Sequence, residues 1–148
     1  MSTLFTQIIA GDIPARFVWA DDVAVVFGTI APITDGHMLV VPRDEIVQLT
    51  EAPDDVLAHL VLVAKAVGQA QQRAWSAPRA ALLVAGFEVE HLHLHVLPAW
   101  GEAELSFGNA RSDVPAHELD AAATRVRDAL VAEGHAAHVP ATLSSPAL

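Results

Sequence analysis

Three imidazoles stand at alternate positions in His91-Leu92-His93-Leu94-His95. Along a strand successive side chains point to opposite faces, so residues i, i+2 and i+4 share one face. The histidines then form a row, while Leu92, Leu94 and Val96 point the other way into a core. Neighbouring Cβ atoms in such a row lie roughly 6.5–7 Å apart. Two adjacent rings can therefore flank one small group. Imidazole is a neutral nucleophile or a proton donor near neutral pH, with an ordinary pKa of about 6.5. A nucleophile flanked by donors suits attack on phosphorus. The middle ring attacks, a neighbour binds the non-bridging oxygens, and a proton reaches the leaving group. The same His-x-His spacing also suits two ligands to zinc or iron. No cysteine is present to complete such a site, and Glu88 and Glu90 fall on the opposite alternation. A polar strand face without chemistry is the third reading.

The elements that must hold this row are legible in pattern. Residues 91–100 alternate cleanly and predict a strand. Residues 16–20, 23–29, 37–42 and 80–85 predict four more, with Asp21-Asp22 suited to a hairpin turn and Pro42 closing its strand. Val56, Leu60, Val63 and Val67 recur at spacings of three and four, which predicts a long helix over 53–75. A short helix over 4–10 stops at Gly11, and a helix over 115–133 has Pro115 near its start and Gly134 past its end. The tail, residues 135–148, has little pattern and is expected to be flexible or irregularly docked. Strands in hairpins with few helices indicate an α+β fold with an antiparallel sheet. No repeat or linker breaks the chain. Residues 1–110 carry the site, and residues 111–148 supply a C-terminal helix and tail of the same domain.

Composition excludes several classes. The 148 residues suffice for one core. Eight basic against 18 acidic residues leave a net charge of −10. That balance argues against a nucleic-acid surface, which needs clustered Lys and Arg, but leaves room for a small phosphate ligand held by local donors. No apolar run reaches the roughly 18 residues needed to span a membrane. No signal peptide is expected at the N-terminus. Absence of cysteine fits a reducing compartment, and a cytoplasmic location is expected.

His91-Leu92-His93-Leu94-His95-Val96-Leu97 resembles the signature of the histidine-triad (HIT) superfamily. Two earlier segments agree with its Hint-like branch. Residues 8–16, Ile-Ile-Ala-Gly-Asp-Ile-Pro-Ala-Arg, resemble the entry segment, and residues 30–43, from Ile30 through Gly36-His37 to Pro42-Arg43, resemble the loop and strand before the long helix. The resemblance covers roughly residues 3–100. It implies a five-stranded antiparallel sheet per protomer, a homodimer, no cofactor, and a purine nucleotide or related phosphate ester as partner. It implies a hydrolase or transferase acting at the α-phosphate of nucleoside phosphoramidates or dinucleoside polyphosphates. His93 would be the nucleophile, forming a nucleotidyl-histidine. His95 would contact the phosphate and assist the leaving group, His91 would orient the row, and His37 would complete the set. Leu4, Phe5, Ile8 and Ile30 match base-pocket positions, and the ribose-side position is Thr29.

Departures from the family pattern accompany these matches. Thr29 stands where an Asp usually grips the ribose hydroxyls. Ala80 stands for an Asn, Phe87 for a Gln and Ala99 for an Arg. Each lost hydrogen bond to a charged group costs about 1.5–3 kcal/mol of ligand interaction. Some relatives hold a structural zinc through N-terminal cysteines; the matching positions here are Thr3, Thr6 and Glu45, so that metal is not expected. An enzyme, a non-catalytic nucleotide- or protein-binding module, and a metal site on the histidine strand are the three function classes that follow.

Overall fold

The computed structural model describes residues 2–147. Helix α1 (Leu4–Ile9) begins where the Thr3 hydroxyl accepts the Thr6 N–H, at 3.0 Å, and ends before Gly11, which takes φ +86°. Strands β1 (Phe17–Ala20) and β2 (Ala24–Gly28) are joined by a turn that Asp21 closes. Its Oδ1 accepts the N–H groups of Val23 and Ala24 at 2.8 Å each. Strand β3 (Met38–Pro42) leads to the long helix α2 (Asp54–Trp75). Then follow β4 (Arg79–Val84), β5 (Leu94–Ala99) and α3 (Ala116–Ala132). The five strands form one antiparallel sheet in the order β1-β2-β3-β5-β4. The α+β architecture expected from the pattern is the one observed.

Helices α2 and α3 cover one face of the sheet. Leu60, Val63 and Val67 from the predicted stripe pack there against Val26, Val40, Leu92, Leu94 and Val96. Gly68 lets α2 approach closely: a Cβ at this position would meet the Ala80 Cβ at 2.9 Å. The opposite face carries α1, with Phe5 and Ile8 over Phe17, Val25, Phe27 and Leu39. The histidine row lies on this second face, so apolar packing from both sides stiffens it.

The strand bearing the row is shorter than the alternation predicts. It begins at Leu94, and His91 and His93 lie on the run-in to it. Pro42, the last residue of β3, has no N–H to offer. The ladder between β3 and β5 ends at the pair Val40↔Leu94, and the Leu92 N–H turns to Ile46 O at 2.6 Å. The tail is docked irregularly. The Phe17 N–H donates to Leu143 O at 2.7 Å, and Arg127 donates to the carbonyls of Phe17, Pro140 and Thr142. Ala80 pairs with Pro98 and faces α2, on the side away from the histidines. An Asn contact to a ligand is therefore not missing at residue 80, because that position never faces the site. Among the described residues no helix is long and apolar enough to cross a membrane.

Candidate active site

His95 is set by strand register, opposite Leu39 on β3 and Leu83 on β4. His37 precedes β3 by one residue and reaches His95 ring to ring, Nε2 to Nδ1, at 2.9 Å. The proton positions in this pair follow from one backbone group. Ile33 N–H donates to His37 Nδ1 at 3.0 Å, so neutral His37 carries its proton on Nε2. That proton is donated to His95 Nδ1, and neutral His95 therefore keeps its own proton on Nε2.

A second backbone group orients the middle ring. His93 Nδ1–H donates to His91 O at 2.7 Å, which leaves the lone pair on Nε2. His91 is wholly buried and tied at both nitrogens, with Nε2 2.8 Å from Pro42 O and Nδ1 2.7 Å from the Thr3 hydroxyl. The rings of His93 and His95 lie 4.8 Å apart. Phe5 stands edge-on to His93 at 4.9 Å, and Phe107 stands edge-on to His95 at 4.8 Å. Two aromatic walls thus bracket the His93–His95 pair.

Burial holds His37, His93 and His95 below the ordinary imidazole pKa. Desolvation, reinforced by the neighbouring His95 and His93, pushes His37 down to about 3. Desolvation and the adjacent His93 push His95 down to about 4. His93 is lowered mainly by desolvation, with the hydrogen bond to His91 O and the nearby Glu88 opposing. A buried row with one Nε2 lone pair beside one Nε2–H donor can attack an electrophilic centre and hydrogen-bond the oxygens around it.

The residues expected at a base pocket separate. Phe5 touches the row, and Ile8 is buried in the core beneath α1. Leu4 is half exposed. Ile30 is 74% exposed and borders a recess with Arg16 and tail residue Leu143. The Thr29 hydroxyl accepts the Ala31 N–H at 3.1 Å, a local turn contact. Phe107 and Gln71 are not among the residues expected from sequence. Phe107 sits in a stretch without periodicity, on a short 3₁₀ turn capped by Ser106. Gln71 is a polar residue within an apolar helix stripe, which was its one available signal.

Residues 10–101 match the HIT domain family. The chain belongs to the histidine-triad family. An uncharacterized HIT-like protein of Mycobacterium tuberculosis is 31% identical over 142 residues, covering 93% of this chain and 99% of that protein. A zinc-bound histidine triad family protein from Mycobacterium smegmatis superposes with a TM-score of 0.78 at 28% identity, covering 92% of this chain and 98% of the other. A hypothetical histidine triad nucleotide-binding protein from Sulfolobus tokodaii gives 0.76 at 27% identity, covering 86% and 91%. In this HIT protein the residues around His91 do not suit zinc. Thr6 donates its hydroxyl to Glu45 at 2.6 Å, and Thr3 joins the same cluster through Thr6, Glu45 and His91. Two neutral hydroxyls replace the thiolate or imidazole donors that zinc prefers. The site is closed by hydrogen bonds instead.

Proposed function

We propose that this HIT protein is a nucleotide hydrolase or transferase that works through a nucleotidyl-histidine on His93, acting on nucleoside phosphoramidates or dinucleoside polyphosphates. The observation that carries the reading is the proton pattern of the row: a lone pair on His93 Nε2 beside a proton on His95 Nε2. His93 Nε2 attacks the α-phosphorus and forms an N–P bond as the bond to the leaving amine or phosphate breaks. The His93 ring gains positive charge, which the hydrogen bond to His91 O supports. His95 Nε2–H faces the non-bridging oxygens. An amine departs with one added proton drawn from solvent water, while His95, neutral throughout, assists by hydrogen-bonding the phosphoryl oxygens from Nε2–H. Water then attacks phosphorus, the bond to His93 Nε2 breaks and restores its lone pair, and the proton lost by that water goes to solvent, balancing the one taken up by the amine. The products are a nucleoside monophosphate and the amine or phosphate. Phe5 walls the nucleophile. The purine site, with Leu4, Ile8, Thr29 and Ile30 as its candidate lining, belongs to the same reading. So does a homodimer, because β4 leaves a bare sheet edge.

Intact-protein mass spectrometry after acid quench with adenosine 5′-phosphoramidate tests the proposal, comparing wild type with His93→Ala. A nucleotidyl adduct on wild type alone is expected, with turnover abolished and binding largely retained in the variant. Equal turnover by His93→Ala would overturn the mechanism. Binding without adduct or product from either protein would favour a non-catalytic module.

A further inference from the structure

Gln71 lies on α2, behind the sheet from the histidines, and is wholly buried. Its carboxamide nitrogen donates to two carbonyls, Gly36 O and Val96 O, at 2.8 Å each. Gly36 immediately precedes His37, and Val96 immediately follows His95. These are the two histidines joined ring to ring at 2.9 Å. One side chain therefore clamps the backbone beside both members of the pair. The neighbouring helix positions reinforce the clamp. Gln71 and Trp75 are four apart and share a helix face. The Trp75 ring lies against Gly36, where a Cβ would overlap it, and Gly68 brings the same face of α2 onto Val96. An apolar residue at 71 would leave both carbonyls buried without that donor.

We propose that Gln71 is a positioning residue for the His37–His95 pair, setting from the far side of the sheet the spacing at which the two rings hydrogen-bond. The kinetic part rests on the proposed phosphoryl-transfer reading, while the positional part stands on the imidazole geometry alone. A residue with this role controls how tightly His37 Nε2–H is held by His95 Nδ1, and through it where the His95 proton resides. It touches no substrate.

Imidazole 15N spectra of the full chain test this without substrate. Wild type is expected to show both rings as Nε2–H tautomers, with the His37 Nε2–H protected from exchange. In Gln71→Leu that proton should exchange at least tenfold faster and the His95 tautomers should mix. In turnover of adenosine 5′-phosphoramidate, kcat should fall about tenfold with KM changed less than twofold. Val67→Ala, a core truncation on the same helix, serves as the control for general destabilisation and should leave the imidazole signals unchanged. Gln71→Glu keeps the shape and, when protonated, one donor, so it should give intermediate exchange, and it carries the test if Gln71→Leu fails to fold. Wild-type imidazole signals in a folded residue-71 variant would overturn the inference. So would equal disturbance by Val67→Ala. Wild-type spectra as expected, but with no turnover by wild type, would overturn the phosphoryl-transfer reading and leave the positioning role standing.

Discussion

At the scale of single residues, the chemistry depends on which nitrogen of each ring holds a proton. Ordinary imidazole is half protonated at a pH of about 6.5. His93 is held below that value, chiefly by desolvation. The protonated ring has no lone pair on Nε2, so the proposed attack by His93 requires the neutral form, and a lowered pKa keeps that form present at lower pH. The kcat/KM of the nucleotidyl-transfer step should therefore hold its plateau through the ordinary imidazole range and fall on the acid side below it. A pH–rate profile on the free enzyme reads this directly. An acid limb centred at or above the ordinary value would contradict the buried, neutral nucleophile. His95 and His37, pushed down to about 4 and about 3, stay neutral through the same window and do not shape that limb.

At the scale of elements, the loop from Pro32 to Gly36 and the C-terminal end of α2 act together. Thr34 donates its hydroxyl to Pro98 O at 2.7 Å, Ile33 orients His37, and Gly36 rests on Trp75. Gly36 takes φ +83°, a left-handed conformation that costs a residue with a Cβ roughly 1–2 kcal/mol. The clash with Trp75 adds roughly 1–3 kcal/mol of overpacking. Gly36→Ala should thus destabilise the fold by about 2–5 kcal/mol. Gly11 offers the comparison, since it takes φ +86° and a Cβ there would meet nothing within 4 Å. Gly11→Ala should cost only the conformational part, about 1–2 kcal/mol. Denaturant melts of both variants separate the two contributions, and equal losses would show that the Trp75 contact does not hold the loop.

At the scale of the whole molecule, the two edges of the sheet differ. The β1 edge is covered by the tail, through the bond from Phe17 N–H to Leu143 O. Among the described residues no strand pairs with the outer edge of β4, which is largely apolar. Leu82 and Val84 are exposed along it, and exposed Val61 of α2 lines the same recess as Leu82. Unprotected apolar edges are interaction surfaces or aggregation hazards. Pairing of β4 with β4 of a second copy would cover this one. Light scattering at micromolar concentration should give twice the 15.7 kDa chain mass, and Leu82→Lys should shift the protein toward the monomer. A monomeric wild type would rule out this assembly.

Residue order was enough to separate Leu92, Leu94 and Val96 on one side from the histidines on the other. It was enough as well for the stripe that buries α2, for the succession of strands and helices, and for the family. All of these are local: they rest on relations of two to four residues, which chain stereochemistry imposes wherever the segment sits. Other features came only with the packed chain. Where β5 begins depended on Pro42, a residue of a neighbouring strand, having no N–H to give. That Ala80 faces α2 followed from register with Pro98. His37 and His95 are 58 positions apart, and their contact, their proton pattern and the clamp by Gln71 exist because β3, β5 and α2 pack in one register. Phe107 reaches His95 from a stretch that carries no periodic signal. Residue type and spacing specify which groups can do chemistry. Long-range packing specifies which of them meet, and a buried hydrogen-bond donor then specifies where each proton sits.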